Sequence, residues 1–270
     1  MNISYLGPKG TFTEIALNTY FQKKHQKVVK QSINDVFKSV DDKEANFGVV
    51  PVENSIEGAV NNTLDQLMEN DVYIIGEITI PINQCLLSKS TNKNNIKNLF
   101  SHPQSLAQCR KWINNNIPNS KLIPMLSNSE GAIQVKTNND ACIGPNTLSD
   151  YYDLTLVESN IQDFENNQTR FLILGKSIHY SLNESKTSII IIPQTESRSG
   201  SLYNLLKPFS DNNVNLTRIE SRPLKTHNWK YSFFIDFEGS YKDKNVINAI
   251  DTIKNNNNEL KFLGSYKPSL

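Results

Sequence analysis

The feature that most constrains this chain is a repeating unit in its first two thirds: a short apolar run, a Ser, Thr or Pro, and then apolar residues at helical spacing. Such apolar runs stand at residues 3–6, 47–52, 99–100 and 141–143. Each run has the length of a buried strand, and each leads into a helix start signal. Strands that alternate with helices in this way predict an α/β architecture.

The helix start signals themselves indicate a possible anion site. Thr11 and Glu14 have the spacing of a capping box, Ser127 and Glu130 repeat it, and Pro103 suits a first helical turn. A helix N-terminus carries unpaired N–H groups and a partial positive charge. Several such N-termini at one cleft would bind a small, multiply charged anion without a basic surface. For any one of them alone, ordinary capping is the simpler interpretation.

The sequence pattern changes after Ile178. Residues 182–186 are polar and turn-like, which is typical of a linker. Two helical patterns then lie among four strand patterns, at residues 188–192, 214–221, 229–237 and 260–266. The order βαββαβ predicts a ferredoxin-like α+β domain. We therefore predict two domains, residues 1–180 and residues 187–268, and 270 residues are enough for both.

Composition and spacing argue against several classes of function. The 28 basic and 27 acidic residues nearly cancel, and no Lys/Arg block indicates a surface for nucleic acid. The N-terminus lacks a signal-peptide pattern and the longest aliphatic run, residues 189–192, is too short to span a bilayer, so we expect a cytoplasmic protein without membrane contact. Cys85, Cys109 and Cys142 are widely spaced, which predicts reduced, buried thiols. Without metal-ligand spacing or a nucleotide-binding glycine motif, we expect no metal and no cofactor.

One polar cluster, Asn-Gln-Thr-Arg at residues 167–170, runs directly into an apolar strand pattern that starts at Phe171. A guanidinium such as that of Arg170 is suited to clamp a carboxylate in a bidentate pair. The Thr169 hydroxyl would reach a neighbouring oxygen. The alternative is a strand edge with a surface Arg, and composition alone favours that alternative.

Four segments together resemble the signatures of the prephenate dehydratase family: GPKGTFTEIA, VVPVENSIEGAVNNTLDQL, SHPQSLAQC and NNQTRFLILG. The C-terminal part resembles the ACT domain appended to that enzyme, through SGSLYNLLKPF and IESRPLK. The resemblance implies a catalytic module like a type 2 periplasmic binding protein, with two α/β lobes and the site between them. It also implies conversion of prephenate to phenylpyruvate, with loss of carbon dioxide and the ring hydroxyl.

The resemblance also implies roles for particular residues. Thr169 is the expected catalytic residue, a positioned hydrogen-bond donor to the departing hydroxide. Its neighbours Arg170 and Phe171 are expected to contact the substrate. The remaining candidate substrate contacts, each also readable as a cap or turn residue, are Thr11, Asn54, Ser55, Ser101, Gln104 and Asn128. Asn128 stands where the family has the Thr of a Ser-Thr pair, and an amide can donate where a hydroxyl would.

For the C-terminal domain, the resemblance implies that L-phenylalanine binds at a subunit interface and regulates the enzyme. The residues that match the effector motifs are Gly200, Ser201, Leu202, Glu220, Ser221, Arg222 and Pro223. The family indicates a homodimer or homotetramer. The alternative function is a non-catalytic amino-acid sensor, a binding module without turnover, and the NQTRF segment argues against it.

Overall fold

The computed structural model describes residues 1–22, 25–178, 185–194, 199–225 and 230–269. Most of the predicted linker at residues 182–186 lies outside these residues, as does the predicted start of a strand at Trp229. Within the described parts of the chain, no helix is both long and apolar enough to cross a membrane.

The chain first forms β1 (Asn2–Leu6), α1 (Phe12–Tyr20), β2 (Gln26–Lys30), α2 (Ile33–Asp41), β3 (Phe47–Asn54), β4 (Gly58–Ala59), α3 (Asn61–Glu69) and β5 (Tyr73–Pro81). It continues with β6 (Cys85–Ser88), β7 (Asn98–Ser101), α4 (Pro103–Gln108), α5 (Arg110–Asn116), β8 (Lys121–Pro124), α6 (Asn128–Gln134), β9 (Asp140–Gly144), α7 (Thr147–Tyr152), β10 (Thr155–Glu158) and β11 (Gln168–Gly175). The last elements are β12 (Lys186–Ile192), α8 (Ser201–Asp211), β13 (Leu216–Pro223), β14 (Tyr231–Glu238), α9 (Lys244–Asn255) and β15 (Glu259–Tyr266).

The first lobe is a mixed sheet in the order β2-β1-β3-β11-β5, with β4 beside β3. β1 is parallel to both of its neighbours, whereas β11 is antiparallel to β3 and β5. The chain leaves this lobe after β5, forms the second lobe, and returns to insert β11 between β3 and β5. Residues that are more than a hundred positions apart, such as Asn54 and Thr169, thereby become neighbours.

The second lobe is a mixed sheet in the order β10-β6-β9-β7-β8. Its helices cover apolar residues on both faces of the sheet, including Leu86 and Leu99 on one face and Leu87 and Cys142 on the other. The repeated strand-and-helix pattern of the sequence is thus confirmed in both lobes. Together they form an α/β fold of mixed sheets.

The third sheet has the order β13-β14-β12-β15, and every pair in it is antiparallel. The predicted βαββαβ order is confirmed. Helices α8 and α9 cover one face, where Ile189, Phe209 and Phe237 are buried. The other face packs directly against the first lobe.

This packing unites the C-terminal sheet and the first lobe in one apolar core. Phe234, Leu263 and Tyr266 of the C-terminal sheet share a cluster with Val52 and Leu172 of the first lobe. Burying one such side chain contributes about 1.5–3 kcal/mol. We therefore expect the C-terminal part and the first lobe to unfold together, although the sequence predicts two modules joined by a linker.

Gly264 shows how closely the two parts approach. A β-carbon built at this position would lie 2.0 Å from the backbone oxygen of Ile74 in β5. Real β-carbons do not come this close to a backbone atom, so only glycine allows β15 to lie against β5 here.

Candidate active site

Strand direction brings the predicted site residues to two facing sheet edges. β1 and β3 are parallel and β11 is antiparallel, so Thr11, Asn54 and Thr169 follow or begin their strands at the same edge of the first lobe. In the second lobe, β7 and β9 are parallel, and Ser101 ends β7 at the corresponding edge. The chain crosses between the lobes at these edges, from β5 into β6 and from β10 back to β11. The space between the ends of the strands is the usual position of a ligand site in an α/β fold.

The centre of the first-lobe edge is a hydrogen-bonded pair, Asn54 and Thr169, which are register partners in β3 and β11. Both side chains are buried. The Asn54 amide nitrogen donates to Thr169 Oγ1 over 2.9 Å, and the amide oxygen accepts the backbone N–H groups of Ile56 and Glu57, each over 3.0 Å. Because the oxygen is held by two backbone donors, the amide nitrogen must face Thr169. Thr169 Oγ1 therefore accepts from Asn54, which shares its two amide protons with Asn167 Oδ1 and the Gln168 backbone oxygen, and the Thr169 proton is free for another group.

Asn167 is a further residue of the site, although in the sequence it is only one member of the polar cluster at residues 167–170. Its side-chain oxygen accepts from Asn54 over 2.8 Å, and its side-chain nitrogen is buried without a partner in the described structure. A buried polar group without a partner is unusual, and a role in binding or catalysis is one explanation for it. The signal in the sequence was the pair of adjacent asparagines that precede Gln168.

Ser55 connects the two strands rather than presenting a free hydroxyl. Its Oγ donates to the backbone oxygen of Asn166 over 3.1 Å and accepts the backbone N–H of Gln168 over 2.9 Å. These bonds tie the turn after β3 to the residues that start β11. Ser55 thus supports the Asn54–Thr169 pair from outside.

In the second lobe, Ser101 and Asn128 form a corresponding pair. Ser101 is fully buried, and its Oγ lies 2.9 Å from both the Ile143 backbone oxygen and Asn128 Oδ1. Asn128 Oδ1 also accepts the backbone N–H of His102 over 3.1 Å, so the amide nitrogen of Asn128 is directed away from these groups. Gln104 lies exposed at the start of α4, where its backbone N–H donates to His102 Nδ1 over 3.2 Å.

The two lobes are joined directly through Glu14 of α1. Its carboxylate accepts the Gly10 backbone N–H over 2.7 Å, Lys27 Nζ over 2.7 Å, and the hydroxyl of Tyr151 in the second lobe over 2.9 Å. Thr147 Oγ1 adds a bond to the Gly10 backbone oxygen over 3.2 Å.

The capping box predicted at Thr11 is wrong in detail, because the Thr11 hydroxyl makes no cap and lies 3.4 Å from the Leu6 backbone oxygen.

Glu14 remains ionised although it is buried. Burial by itself raises the pKa of its carboxyl, but the Gly10 N–H, the Lys27 ammonium and the Tyr151 hydroxyl outweigh burial and hold the pKa below its ordinary value of 4.5. A carboxyl whose pKa is lower in the folded state stabilises that state at pH values above its ordinary pKa. This contribution is lost as the pH falls through the folded-state pKa.

We therefore expect Glu14→Gln to lower the free energy of unfolding by about 1–3 kcal/mol at neutral pH, because Lys27 loses a buried partner. The difference from the wild type should shrink as the pH falls below 4.5. Urea denaturation at neutral and acidic pH measures both effects. Tyr151→Phe, which removes one bond between the lobes and one of the three donors to Glu14, should cost about 0.5–1.5 kcal/mol and weaken the pH dependence less than Glu14→Gln does. A constant gap between wild type and Glu14→Gln at all pH values would contradict this assignment.

The carboxylate clamp predicted at Arg170 does not form, because Arg170 faces away from Thr169. Adjacent residues of a strand point to opposite faces of its sheet. The guanidinium donates to Glu77 over 2.6 Å, to Asp236 of β14 over 2.6 Å and to the hydroxyl of Tyr266 over 3.0 Å. All three partners lie on the side of the sheet that packs against the C-terminal part, so Arg170 and Thr169 cannot hold one ligand together.

Phe171 also differs from its predicted role. Its ring is 2% exposed and packs with Ile3, Tyr5 and Leu17 in the core between the first-lobe sheet and α1. Phe171 is therefore a core residue. It lies two positions after Thr169 on the same face of β11 and packs that face against α1.

The predicted effector residues lie at one end of the C-terminal sheet. β12 and β13 both run antiparallel to β14, so the start of α8 after β12 and the last residues of β13 share that end. Gly200, with φ of 83°, precedes α8, and Leu202 is 46% exposed in its first turn. Ser221 and Pro223 are exposed on the edge strand β13, and Glu220 is half-buried. Arg222 reaches the first lobe, where it donates to Asp65 of α3 over 2.8 Å.

Two α/β lobes with buried hydrogen-bonding side chains at their facing edges define a protein that binds a small molecule. A family profile described as prephenate dehydratase matches residues 3–179. The bifunctional chorismate mutase/prephenate dehydratase of Pseudomonas aeruginosa is 41% identical over 268 residues, which cover 98% of this chain and 73% of the relative. The prephenate dehydratase of Bacillus subtilis is 34% identical, and the match covers 99% of each chain.

A solved structure gives the same result. The crystal structure of prephenate dehydratase from Arthrobacter aurescens in complex with L-Phe superimposes with a TM-score of 0.90, at 29% identity, and covers 99% of this chain and 90% of its own. The chain described here belongs to the prephenate dehydratase family, and its activity is the lyase reaction of that family.

Proposed function

We propose that this chain converts prephenate to phenylpyruvate with Thr169 as the hydrogen-bond donor to the leaving hydroxide. The observation that carries this proposal is the Asn54 amide, which donates to Thr169 Oγ1 and leaves the hydroxyl proton of Thr169 for the substrate. As the ring carboxylate leaves as carbon dioxide, its bonding electrons enter the ring and expel the hydroxide. The products, phenylpyruvate, carbon dioxide and hydroxide, balance the two negative charges of the substrate.

In this proposal, Asn54 is the second essential group. Negative charge builds on Thr169 Oγ1 as its proton is shared with the departing hydroxide, and the Asn54 N–H is already directed at that oxygen. A donor that is in place before the reaction stabilises such charge without a reorganisation cost. Asn167, with its unpartnered buried nitrogen, supplies a further donor beside the pair.

The two carboxylates of prephenate are held, in this proposal, by neutral donors rather than by Arg170. The candidates are the N-terminus of α1 at Thr11 and the amides of Asn128 and Gln104. The Thr11 hydroxyl is only weakly engaged, at 3.4 Å from the Leu6 oxygen, and the nine-residue helix α1 directs its free N–H groups to this edge. Ser101 and Ser55 support their neighbours instead of binding directly. This arrangement requires no metal ion and no cofactor.

We further propose that residues 1–180 form the catalytic domain, with lobes like those of a type 2 periplasmic binding protein, and that residues 187–268 form an ACT domain that binds L-phenylalanine. The related Arthrobacter aurescens enzyme was crystallised with L-Phe, which supports this proposal. The proposed effector site comprises Gly200, Ser201, Leu202, Glu220, Ser221, Arg222 and Pro223. A homodimer or homotetramer would complete this site at the exposed edge strand β13, and we expect the enzyme in the cytoplasm.

The direct test is a turnover assay with purified protein. We expect prephenate to be consumed and phenylpyruvate to form at equal rates with chelator present, because no metal takes part in the proposed reaction. Binding of prephenate without turnover by folded protein would instead support the alternative function, a non-catalytic sensor.

We expect L-phenylalanine to inhibit this turnover, and Glu220→Gln to raise the half-inhibitory concentration about 10-fold, equivalent to about 1.4 kcal/mol of effector binding. Basal kcat should stay within about twofold of the wild type, since Glu220 lies on β13 of the third sheet and the cleft residues lie on the other two sheets. Ser201→Ala should weaken inhibition in the same direction. An unchanged inhibition curve in both variants would remove these residues from the effector site.

A further inference from the structure

The side of β11 opposite Thr169 carries a buried ion network that the reaction described above does not use. We call it the back-face network and define it by six residues from five strands: Glu77, Arg170, Lys186, Ser188, Asp236 and Tyr266. Arg170 donates to Glu77, Asp236 and Tyr266, and Lys186 Nζ donates to Glu77 over 2.6 Å. Within these six residues, the two cations and two carboxylates balance, and Glu53, 3.8 Å from Arg170, has its own cation in Arg218 at 3.0 Å. The side chains of Glu77, Asp236 and Arg170 are 1%, 7% and 12% exposed.

In this network, each hydrogen bond has only one possible assignment of donor and acceptor. Ser188 Oγ donates to Asp236 Oδ1 over 2.6 Å. The Tyr266 hydroxyl, 2.7 Å from Ser188 Oγ, must therefore donate to Ser188, because the serine has only one proton. Tyr266 in turn accepts from Arg170 over 3.0 Å. The bonds close into a ring, so the guanidinium is held on three sides by groups that cannot reorient independently.

This ring is attached to the catalytic residue through one peptide unit. Arg170 directly follows Thr169, and both residues pair with β3 on one side and β5 on the other. The pairing with β3 has an irregularity immediately after Arg170. Arg170 pairs with Glu53 and Phe171 with Pro51, so Val52 of β3 is the extra residue of a bulge, which disrupts the ladder on this side of β11. Any rotation of β11 about its axis would move Thr169 and Arg170 in opposite directions.

Stability alone gives a weak reason for charges at this position. The surrounding core contains Val52, Leu172 and Leu263, and apolar residues of similar volume in place of a buried ion pair are often neutral or stabilising. A planar guanidinium held by three partners does, however, fix the orientation of its side chain better than an apolar contact would.

We propose that Arg170 is a positioning residue, and that the back-face network orients the Thr169 hydroxyl from the C-terminal module through Asp236, Ser188 and Tyr266. This inference rests on the proposed donor role of Thr169. It gives the C-terminal module a part in the basal reaction, independent of any effector.

The test is Asp236→Asn, which preserves size and an acceptor but removes one of the three carboxylates around Arg170; Glu77 and, at 3.8 Å, Glu53 remain. We expect kcat to fall about 10-fold with KM within about threefold, since donor geometry changes and substrate binding does not. The matched control is Asp65→Asn. It removes the carboxylate from another ion pair between the same two parts, Asp65–Arg222 at 2.8 Å, which is not attached to β11. The control should lose thermal stability with unchanged kcat.

A kcat of Asp236→Asn equal to that of Asp65→Asn would overturn the inference, as would a loss confined to KM. If Asp236→Asn does not fold, Tyr266→Phe decides, since it removes only the hydroxyl that receives Arg170; we expect a kcat about threefold lower, and an unchanged kcat would contradict the proposal. Thr169→Val separates the two ideas. If that variant stays active, the donor role fails; if it is inactive while Asp236→Asn is fully active, only the positioning inference fails.

Discussion

Thr169→Val should reduce kcat by about 100- to 10,000-fold while prephenate still binds, because the variant keeps the shape of the side chain and loses its only donor. Valine also leaves the Asn54 amide nitrogen with one acceptor fewer, yet Asn167 Oδ1 and the Gln168 backbone oxygen remain at 2.8 and 3.0 Å. The fold should therefore tolerate the change. Steady-state kinetics with a separate measurement of substrate binding distinguishes lost chemistry from lost affinity.

The matched control for this experiment is Thr169→Ser, which retains the hydroxyl. We expect it to keep kcat within about 10-fold of the wild type, since serine has the same donor and acceptor inventory and loses only the methyl group that restricts its rotamer. Equal losses in the valine and serine variants would contradict the donor role, because serine keeps the hydroxyl that valine lacks.

Asn54→Asp is the second substitution with a large expected effect, about 100-fold on kcat. The new carboxylate can still accept the backbone N–H groups of Ile56 and Glu57, so the turn should persist. It cannot donate to Thr169. Instead it accepts the Thr169 proton, which is then directed away from the substrate. Its negative charge should also raise KM for a dianion.

The pH dependence of this variant provides a sharp criterion. A protonated carboxyl is again a donor, and burial raises the pKa of such a group. We expect the activity of Asn54→Asp, relative to the wild type, to increase as the pH is lowered. Parallel pH profiles for the two proteins would refute the proposed direction of the Asn54–Thr169 hydrogen bond.

Much of the fold and part of the site could be predicted from local sequence patterns. The apolar runs and helix start signals predict the α/β lobes, and the βαββαβ order predicts the third sheet; both are present. Such patterns succeed because strand and helix periodicities are set by neighbouring residues. The segments around Asn54 and Thr169 also stand out as polar residues at the ends of apolar strands, although only the pairing of β3 with β11 shows that they touch.

The predicted carboxylate clamp at Arg170 is wrong because the predicted start of the strand is too late in the sequence. The apolar pattern of the sequence starts at Phe171 and predicts that residues 167–170 precede the strand, where neighbouring side chains can act together. β11 instead begins at Gln168, so alternation already separates Thr169 from Arg170. The hydrophobicity pattern cannot locate the start of this strand, because a polar strand start and a polar loop have the same composition.

By itself, the sequence determined many of the strands and helices and their order, and its family motifs give Thr169 as the expected catalytic residue. Only the tertiary structure decided which surface each strand face meets. The first lobe and the C-terminal sheet share one core, and this contact assigns Arg170 to Asp236 and Tyr266 and leaves Thr169 to the cleft. The physical reason is that a strand has two equivalent faces until other parts of the chain cover them, and the residues that cover β11 lie far from it in sequence.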